Sequence, residues 1–421
     1  VTAEAKPLLA IVLSHPTQYY SPWFRHISAQ GELKLRVFYL WDFGVQPRMD
    51  VQFGQTVQWD IPLLDGYDSE FVPNDSRDPG THWFGGLDNP RLVDRVLQAA
   101  PDAIMVFGYA SRSHLRLLLS PRLARFPMLI RGDSHDLARA PGWRSLMTRW
   151  LRRTLFRRFT GALAVGSANA AYFRDSGVDP VRVHLVPHCV DNDRFQAAFA
   201  DTERQAAQWR ADLGIPPEAM VILFAGKFED KKRPLDLLAA FQSLHASAST
   251  PEVGQAILLF VGSGALEPEM RRLAGAAVGR QVFFAPFQNQ THMPRVYAAC
   301  DVMVLPSYGS GETWGLAVNE AMNLARPCIV STHVGCGPDL VEDGQTGWMF
   351  EAGDRAALAH VLERAIVAGP RVRHDMGMRA RARLEAFSYD AATSALHTAL
   401  SDLAGSHNRN SATDAGHGGH A

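Results

Sequence analysis

Short, nearly unbroken apolar runs alternate along this chain with longer stretches in which apolar residues return every three or four positions. Runs of this length suit strands buried on both faces, and the helical period between them supplies the covering layers. The first series is Leu8–Leu13, Leu35–Tyr39, Ala103–Phe107, Met128–Ile130, Ala162–Val165 and Val183–Val186. A second begins after Pro216 and Pro217: Val221–Ala225, Ala256–Val261, Val282–Ala285, Val302–Leu305 and Cys328–Ser331. Helical periods such as Leu235–Ala246 and Leu316–Ala325 follow the strands of this second series. The pattern predicts an α/β protein of two doubly wound, Rossmann-like domains. The expected division is 1–200 and 201–387, with 201–217 an exposed helix and linker at the start of the second domain. A helix over 388–403 is expected to cross back onto the first domain, and the polar residues 404–421 to form a disordered tail.

Composition narrows the class. The 421 residues are 47% hydrophobic and 20% charged, as in an ordinary globular protein. No apolar run approaches the roughly 18 residues of a membrane span. The opening VTAEAKP lacks the basic-then-apolar order of a secretory leader, so a cytoplasmic setting is expected. A net charge of −1 argues against a nucleic-acid partner. Cys189, Cys300, Cys328 and Cys336 form no CxxC pair and have no histidines at zinc spacing, so reduced thiols and no metal site are expected.

The candidate chemistry lies in loops that follow strands, where doubly wound sheets bind ligands. Lysine is rare, yet three of the five lysines, Lys227, Lys231 and Lys232, stand in the loop Gly226–Pro234. A compact ammonium suits a phosphate, and the helix opening near Pro234 adds its positive end. A solvated charged turn neutralised by Glu229 and Asp230 is the other reading of that loop. In the loop 306–315, glycines let backbone approach a ligand, and the amides of Thr313, Trp314, Gly315 and Leu316 face outward at a helix start. Glu312 and Glu320 bracket that start, about 12 Å apart along a helix. The layout suits a ligand with hydroxyls at both ends and phosphates between, as in a nucleotide-sugar. Glutamate at a helix N-terminus is also favoured by the dipole alone.

The stretch PSYGSGETWGLAVNEAMNLARPCIVSTHVGCGPDLVEDGQTGWMF resembles the C-terminal signature of the large retaining glycosyltransferase family of GT-B fold, group 1 or family 4. AGKFEDKKRPLDLL is similar to that family's phosphate loop, and VGSG at Val261–Gly264 to its next strand end. The resemblance implies that Glu312 holds the transferred sugar, helped by the amides of Thr313, Trp314 and Gly315, and that Glu320 holds the ribose. It implies that Lys227 and Lys232 neutralise the leaving diphosphate, Lys227 replacing a more usual arginine. The loops Gly262–Gly264 and Ala285–Gln288, including Pro286 and Phe287, would frame the base. The co-substrate would be a nucleoside-diphosphate sugar, UDP preferred over GDP or ADP, used without a metal or other cofactor in a front-face, retaining transfer. Cys336, Ala325 and Asp339 depart from the family's usual Gly, Gly and Glu.

The first domain is less legible. Ser14–Pro22 lacks the glycines the family often shows there; His15 either faces the ligand or caps structure, and amides near Gln18 open toward the cleft. In Arg131-Gly132-Asp133-Ser134-His135-Asp136, His135 matches the histidine the family places near the acceptor, with Asp133 the alternative. Asp191-Asn192-Asp193 reads as a turn at the domain exit. Residues 143–159 combine arginines with Trp143, Met147, Trp150 and Leu151, which fits either peripheral contact with an anionic membrane or an ordinary surface helix. Aromatic segments near Trp41, Trp59 and Trp83 fit an acceptor site or core packing. A sugar-nucleotide epimerase and a non-catalytic nucleotide-sugar-binding protein are the rival readings.

Overall fold

The apolar runs become strands because the parallel ladder hides both of their faces. The computed structural model describes residues 6–50, 54–138, 143–197, 199–247 and 250–415. Its strands are β1 (Leu8–Leu13), β2 (Lys34–Tyr39), β3 (Arg48–Asp50), β4 (Gln55–Val57), β5 (Ser69–Phe71), β6 (Ala103–Phe107), β7 (Met128–Gly132), β8 (Gly161–Ala164) and β9 (Val183–Leu185). The second half contributes β10 (Val221–Ala225), β11 (Ile257–Val261), β12 (Val282–Ala285), β13 (Val302–Leu305), β14 (Cys328–Ser331) and β15 (Gly347–Phe350). The first sheet has the order β5-β2-β1-β6-β7-β8-β9 and the second β12-β11-β10-β13-β14-β15. Every neighbouring pair in both sheets is parallel. Each order reverses once, between β1 and β6 and between β10 and β13. Those reversals are where neighbouring loops diverge and open a crevice.

Three features were not visible as apolar runs. β5 is short and half-exposed. β15 begins with Gly347 at the sheet edge. β3 and β4 form a separate antiparallel ribbon. The stretch after residue 198, expected as an exposed helix and linker, is a helix over Phe199–Asp212, but one face of it is covered: Ala206 and Trp209 are buried in the second domain's core.

The last helix, Tyr389–Ala415, lies on the first domain. Ala392, Leu396, Ala399 and Leu403 join Leu9, Ile11 and Trp23 in one core, and the Trp23 indole donates to Thr393 Oγ1 at 3.0 Å. This helix runs on to Ala415, past the Leu403 boundary at which a tail was expected to begin. Propagating an existing helix adds one hydrogen bond per residue and needs no apolar face. The remainder of the expected tail, 416–421, lies outside the described residues. All four cysteines are free and buried.

Candidate active site

The cleft forms where the carboxyl ends of the two sheets face each other, with a volume of about 460 Å³. Its floor is the switch point of the second sheet. From β10 come Gly226, Lys227, Lys231 and Lys232; from β13 come Glu312, Thr313, Trp314 and Gly315. Gly315 sits at φ 99°, a left-handed turn that starts the helix Leu316–Asn323. A β-carbon there would meet Leu305 at 2.9 Å, so glycine is needed twice over. The turn brings Leu316 and Ala317, in the helix's first turn, to the cleft wall. The amides of Leu316 and Ala317 precede the helix's first backbone hydrogen bond, from Val318 N to the Gly315 carbonyl, and favour an anion.

Two carboxylates with opposite electrostatics stand on this floor. Glu312 Oε2 accepts from Lys232 Nζ at 2.6 Å and from Ser307 Oγ at 2.9 Å. Burial pushes its pKa upward, but the Lys232 charge and these hydrogen bonds outweigh it, so Glu312 lies below the ordinary carboxylate value. Glu320 is different. Its Oε2 accepts from the Tyr297 hydroxyl at 2.7 Å. Its Oε1 is buried without a hydrogen-bond partner among the described residues, although the Tyr19 phenol acts on the carboxylate. Burial pushes Glu320 up to about 7. An ionised carboxylate beside lysines and an under-satisfied one deeper in the wall are ready acceptors for ligand hydroxyls.

The first domain supplies the roof: His15, Thr17, Gln18, Tyr19, Asp133 and His188. His15 faces the cleft, held by Ser14 Oγ at 2.9 Å from Nδ1 and edge-on to Trp41 and Phe43. Burial lowers its pKa to about 4, so the ring is neutral. Asp133 lines the cleft and accepts from Thr313 Oγ1 across the domain boundary at 2.6 Å. His188 stacks on Tyr20 at 5.2 Å, and burial with the Arg131 charge holds it neutral. Arg131 is fully buried and donates to the carbonyls of Val186 and Pro187, fixing the loop that carries His188.

Four expected residues do not face this cleft. His135 is turned away: its Nε2 donates to the Glu312 carbonyl at 3.1 Å and its Nδ1 accepts from Leu137 N at 3.2 Å. With both ring nitrogens engaged it ties the two domains together, and Asp133 takes the cleft-facing place. Ser134 lines two neighbouring pockets instead. Gly264 lies against the Phe228 backbone, where a β-carbon would come within 2.6 Å of the carbonyl oxygen. Pro286 is exposed, whereas Phe287 and Gln288 line the cleft. Asp191 caps the helix Asn192–Gln196 by accepting from Arg194 N, and Asn192 donates to the carbonyls of Leu384 and Phe387. Sequence reasoning missed Tyr297, Met293 and Gln290, which lie beyond the loop after β12, and His188.

Two family descriptions match the chain: "Glycosyl transferase 4-like domain" over residues 62–189 and "Glycosyl transferases group 1" over residues 205–383. The chain belongs to the group 1 glycosyltransferases. Within the family, it is 36% identical over 231 residues to the D-inositol 3-phosphate glycosyltransferase of Streptomyces scabiei, covering 52% of this chain and 49% of that protein. The Mycobacterium tuberculosis protein of the same name is 35% identical over 242 residues, covering 55% and 46%. The chain thus spans about half the length of the curated relatives it matches. Among solved structures, HepE of Anabaena in complex with UDP and glucose superposes with a TM-score of 0.68 at 18% identity, covering 94% of this chain and all of that one. The lipopolysaccharide glycosyltransferase WaaG gives 0.63 at 17% identity, covering 93% and 98%. This group 1 glycosyltransferase has the GT-B fold.

Proposed function

We propose that this group 1 glycosyltransferase moves a sugar from a nucleoside-diphosphate sugar, with UDP the preferred nucleotide, to an acceptor hydroxyl, and that the anomeric configuration is retained. The observation that carries the reading is the Glu312–Lys232 pair set beside the free amides of the helix Leu316–Asn323, with the under-satisfied Glu320 farther along that helix. The names of its relatives and the UDP complex of HepE support it. In this reading Lys227, Lys232 and the helix amides hold the diphosphate and stabilise the charge that develops as the glycosidic bond breaks. Glu312, fixed by Lys232 and Ser307, orients the sugar hydroxyls. Glu320 accepts from the ribose. Asp133, beside Thr313, is the first-domain carboxylate placed to orient the acceptor hydroxyl. The leaving diphosphate oxygen takes the acceptor proton from the same face, so the transfer proceeds without a carboxylate nucleophile.

A thermal-melt panel with UDP, GDP, ADP, TDP and CMP tests the donor site. A ligand at a hundred times its dissociation constant adds about 2.7 kcal/mol of stability. Transfer from the matching sugar-nucleotide, with product stereochemistry read by NMR, tests the rest. An inverted anomer refutes the mechanism, and no rise with any nucleoside diphosphate refutes the donor site.

Peripheral membrane contact has one observation in its favour. On the helix Trp143–Phe156, Met147, Trp150 and Leu151 are 53%, 65% and 53% exposed beside the exposed Arg149 and Arg153. No helix among the described residues is long and apolar enough to cross a membrane. Liposome flotation with and without anionic lipid tests the contact, and indifference to lipid charge rejects it.

A further inference from the structure

The strand order of the second sheet sets a direction along the cleft. Passing from β13 through β10 and β11 to β12, the loops present Glu312, then the lysines, then Gly262, then Phe287. Three strand spacings of about 4.8 Å give a path of roughly 14 Å. Charge and hydroxyl acceptors lie at the β13 and β10 end. The β12 end carries the ring of Phe287, with Gln288 beside it, and the ring of Trp59 from the other domain.

Trp59 follows the β3–β4 ribbon of the first domain and reaches the cleft beside Phe287, their ring centroids 6.3 Å apart and tilted 53°. Both rings are half-exposed, unlike the core aromatics Trp23 and Phe24, which are 1% and 0% exposed. The residues flanking Trp59 are fastened across the domain boundary. Asn289 Nδ2 donates to the Gln58 carbonyl at 2.7 Å, and Thr291 N and Oγ1 both donate to the Asp60 carboxylate. A planar ring held between two aromatic faces needs about 7 Å between them. To admit one, Trp59 must rotate toward parallel and the two faces must stand about 7 Å apart.

We propose that Trp59 and Phe287 form an aromatic clamp on the nucleobase of the donor, Trp59 being delivered from the first domain by the Asp60–Thr291 and Gln58–Asn289 contacts. This rests on reading the cleft as a nucleotide-sugar site and extends it. The donor is held by both domains, so its binding is coupled to their approach. A base, not a sugar, fits this end, because flat apolar faces stack a π-system without needing hydroxyl partners.

The test compares UDP and inorganic pyrophosphate as calorimetric probes on the full chain and on Trp59→Ala and Trp59→Phe. Pyrophosphate reads only the lysine end and reports that the variant cleft is intact. The clamp predicts that Trp59→Ala weakens UDP binding about 5- to 100-fold, leaves pyrophosphate binding unchanged, and is largely rescued by Trp59→Phe. Unchanged UDP affinity in Trp59→Ala overturns the clamp, as does an equal loss for both probes. A wild type that binds pyrophosphate but none of UDP, GDP and ADP overturns the donor-site reading itself, and the clamp with it.

Discussion

Replacing Glu320 by glutamine should stabilise this protein at alkaline pH while weakening its hold on nucleotide. The carboxyl has an ordinary value of 4.5 and is raised by burial to about 7 in the fold. For an acid with a raised native pKa, the unfolded chain ionises first as pH climbs. The cost to stability is absent below the unfolded value, grows between 4.5 and 7, and is complete above about 7. A shift of that size corresponds to roughly 3 kcal/mol at the alkaline end. Glutamine cannot ionise, yet its carbonyl can still accept from the Tyr297 hydroxyl, which now sits 2.7 Å from Glu320. Any fixed penalty from its amide is the same at every pH. Urea unfolding followed by tryptophan fluorescence at several pH values isolates the titrating part. Between pH 5 and pH 8.5 the stability difference, variant minus wild type, should grow by about 2 kcal/mol or more in the variant's favour. UDP affinity of the wild type should fall below pH 7, because ribose hydroxyls donate more strongly to the ionised carboxylate than to its acid. Parallel stability profiles for the two proteins would refute the reasoning, since they would mean that Glu320 is ionised at no cost in the fold.

Glu312→Ala and Lys232→Ala should each lower turnover at least about a hundredfold, as expected where preorganised charge stabilises a transition state, with circular dichroism unchanged; transfer near the wild-type rate by either variant rejects the assignment. Asp133→Asn should lower transfer more than His135→Ala does. His135→Ala removes an interdomain hydrogen bond and should cost about 1 kcal/mol of stability in a denaturant titration while leaving kcat within tenfold; the opposite ranking restores the histidine to the chemistry. Gly315→Ala must place a β-carbon at φ 99° and 2.9 Å from Leu305, so it should lower the melting temperature and abolish nucleotide binding together; a variant that melts and binds as wild type does would show that the turn relaxes freely.

Much of the fold was legible because burial on both faces writes a strand as an uninterrupted apolar run. Val221–Ala225, Val282–Ala285, Val302–Leu305 and Cys328–Ser331 form over the ranges expected for them, and Val282–Ala285 and Val302–Leu305 begin and end where their apolar residues do. β5 and β15 escaped notice because edge strands are short and tolerate glycine and exposure. In the cleft, Lys227, Lys232 and Glu312 were legible because each lies in a loop that follows a strand, and Glu320 because it stands eight positions after Glu312 in the stretch that resembles the family's signature. Tyr297 and Met293 were not, because they belong to a helix whose pitch, not its sequence, turns them inward. His135 shows a further limit. The turn Asp133-Ser134-His135 places polar groups on opposite sides, and only the docked second domain, through the Glu312 carbonyl and Thr313, decides which side is the site.

The return of the last helix to the first domain has a consequence for how the protein is made. The first domain's apolar face at Leu9 and Ile11 of β1 and Trp23 of the helix that follows is covered by Ala392, Leu396 and Ala399, side chains more than 350 positions later in the chain. During synthesis the first domain leaves the ribosome unfinished, and this apolar face stays open while the whole second domain is translated. The second domain has all of its strands in hand by Phe350 and can fold earlier. Completion therefore runs backward, the amino-terminal domain closing last, and a nascent chain stalled before Tyr389 should be the species that chaperones retain.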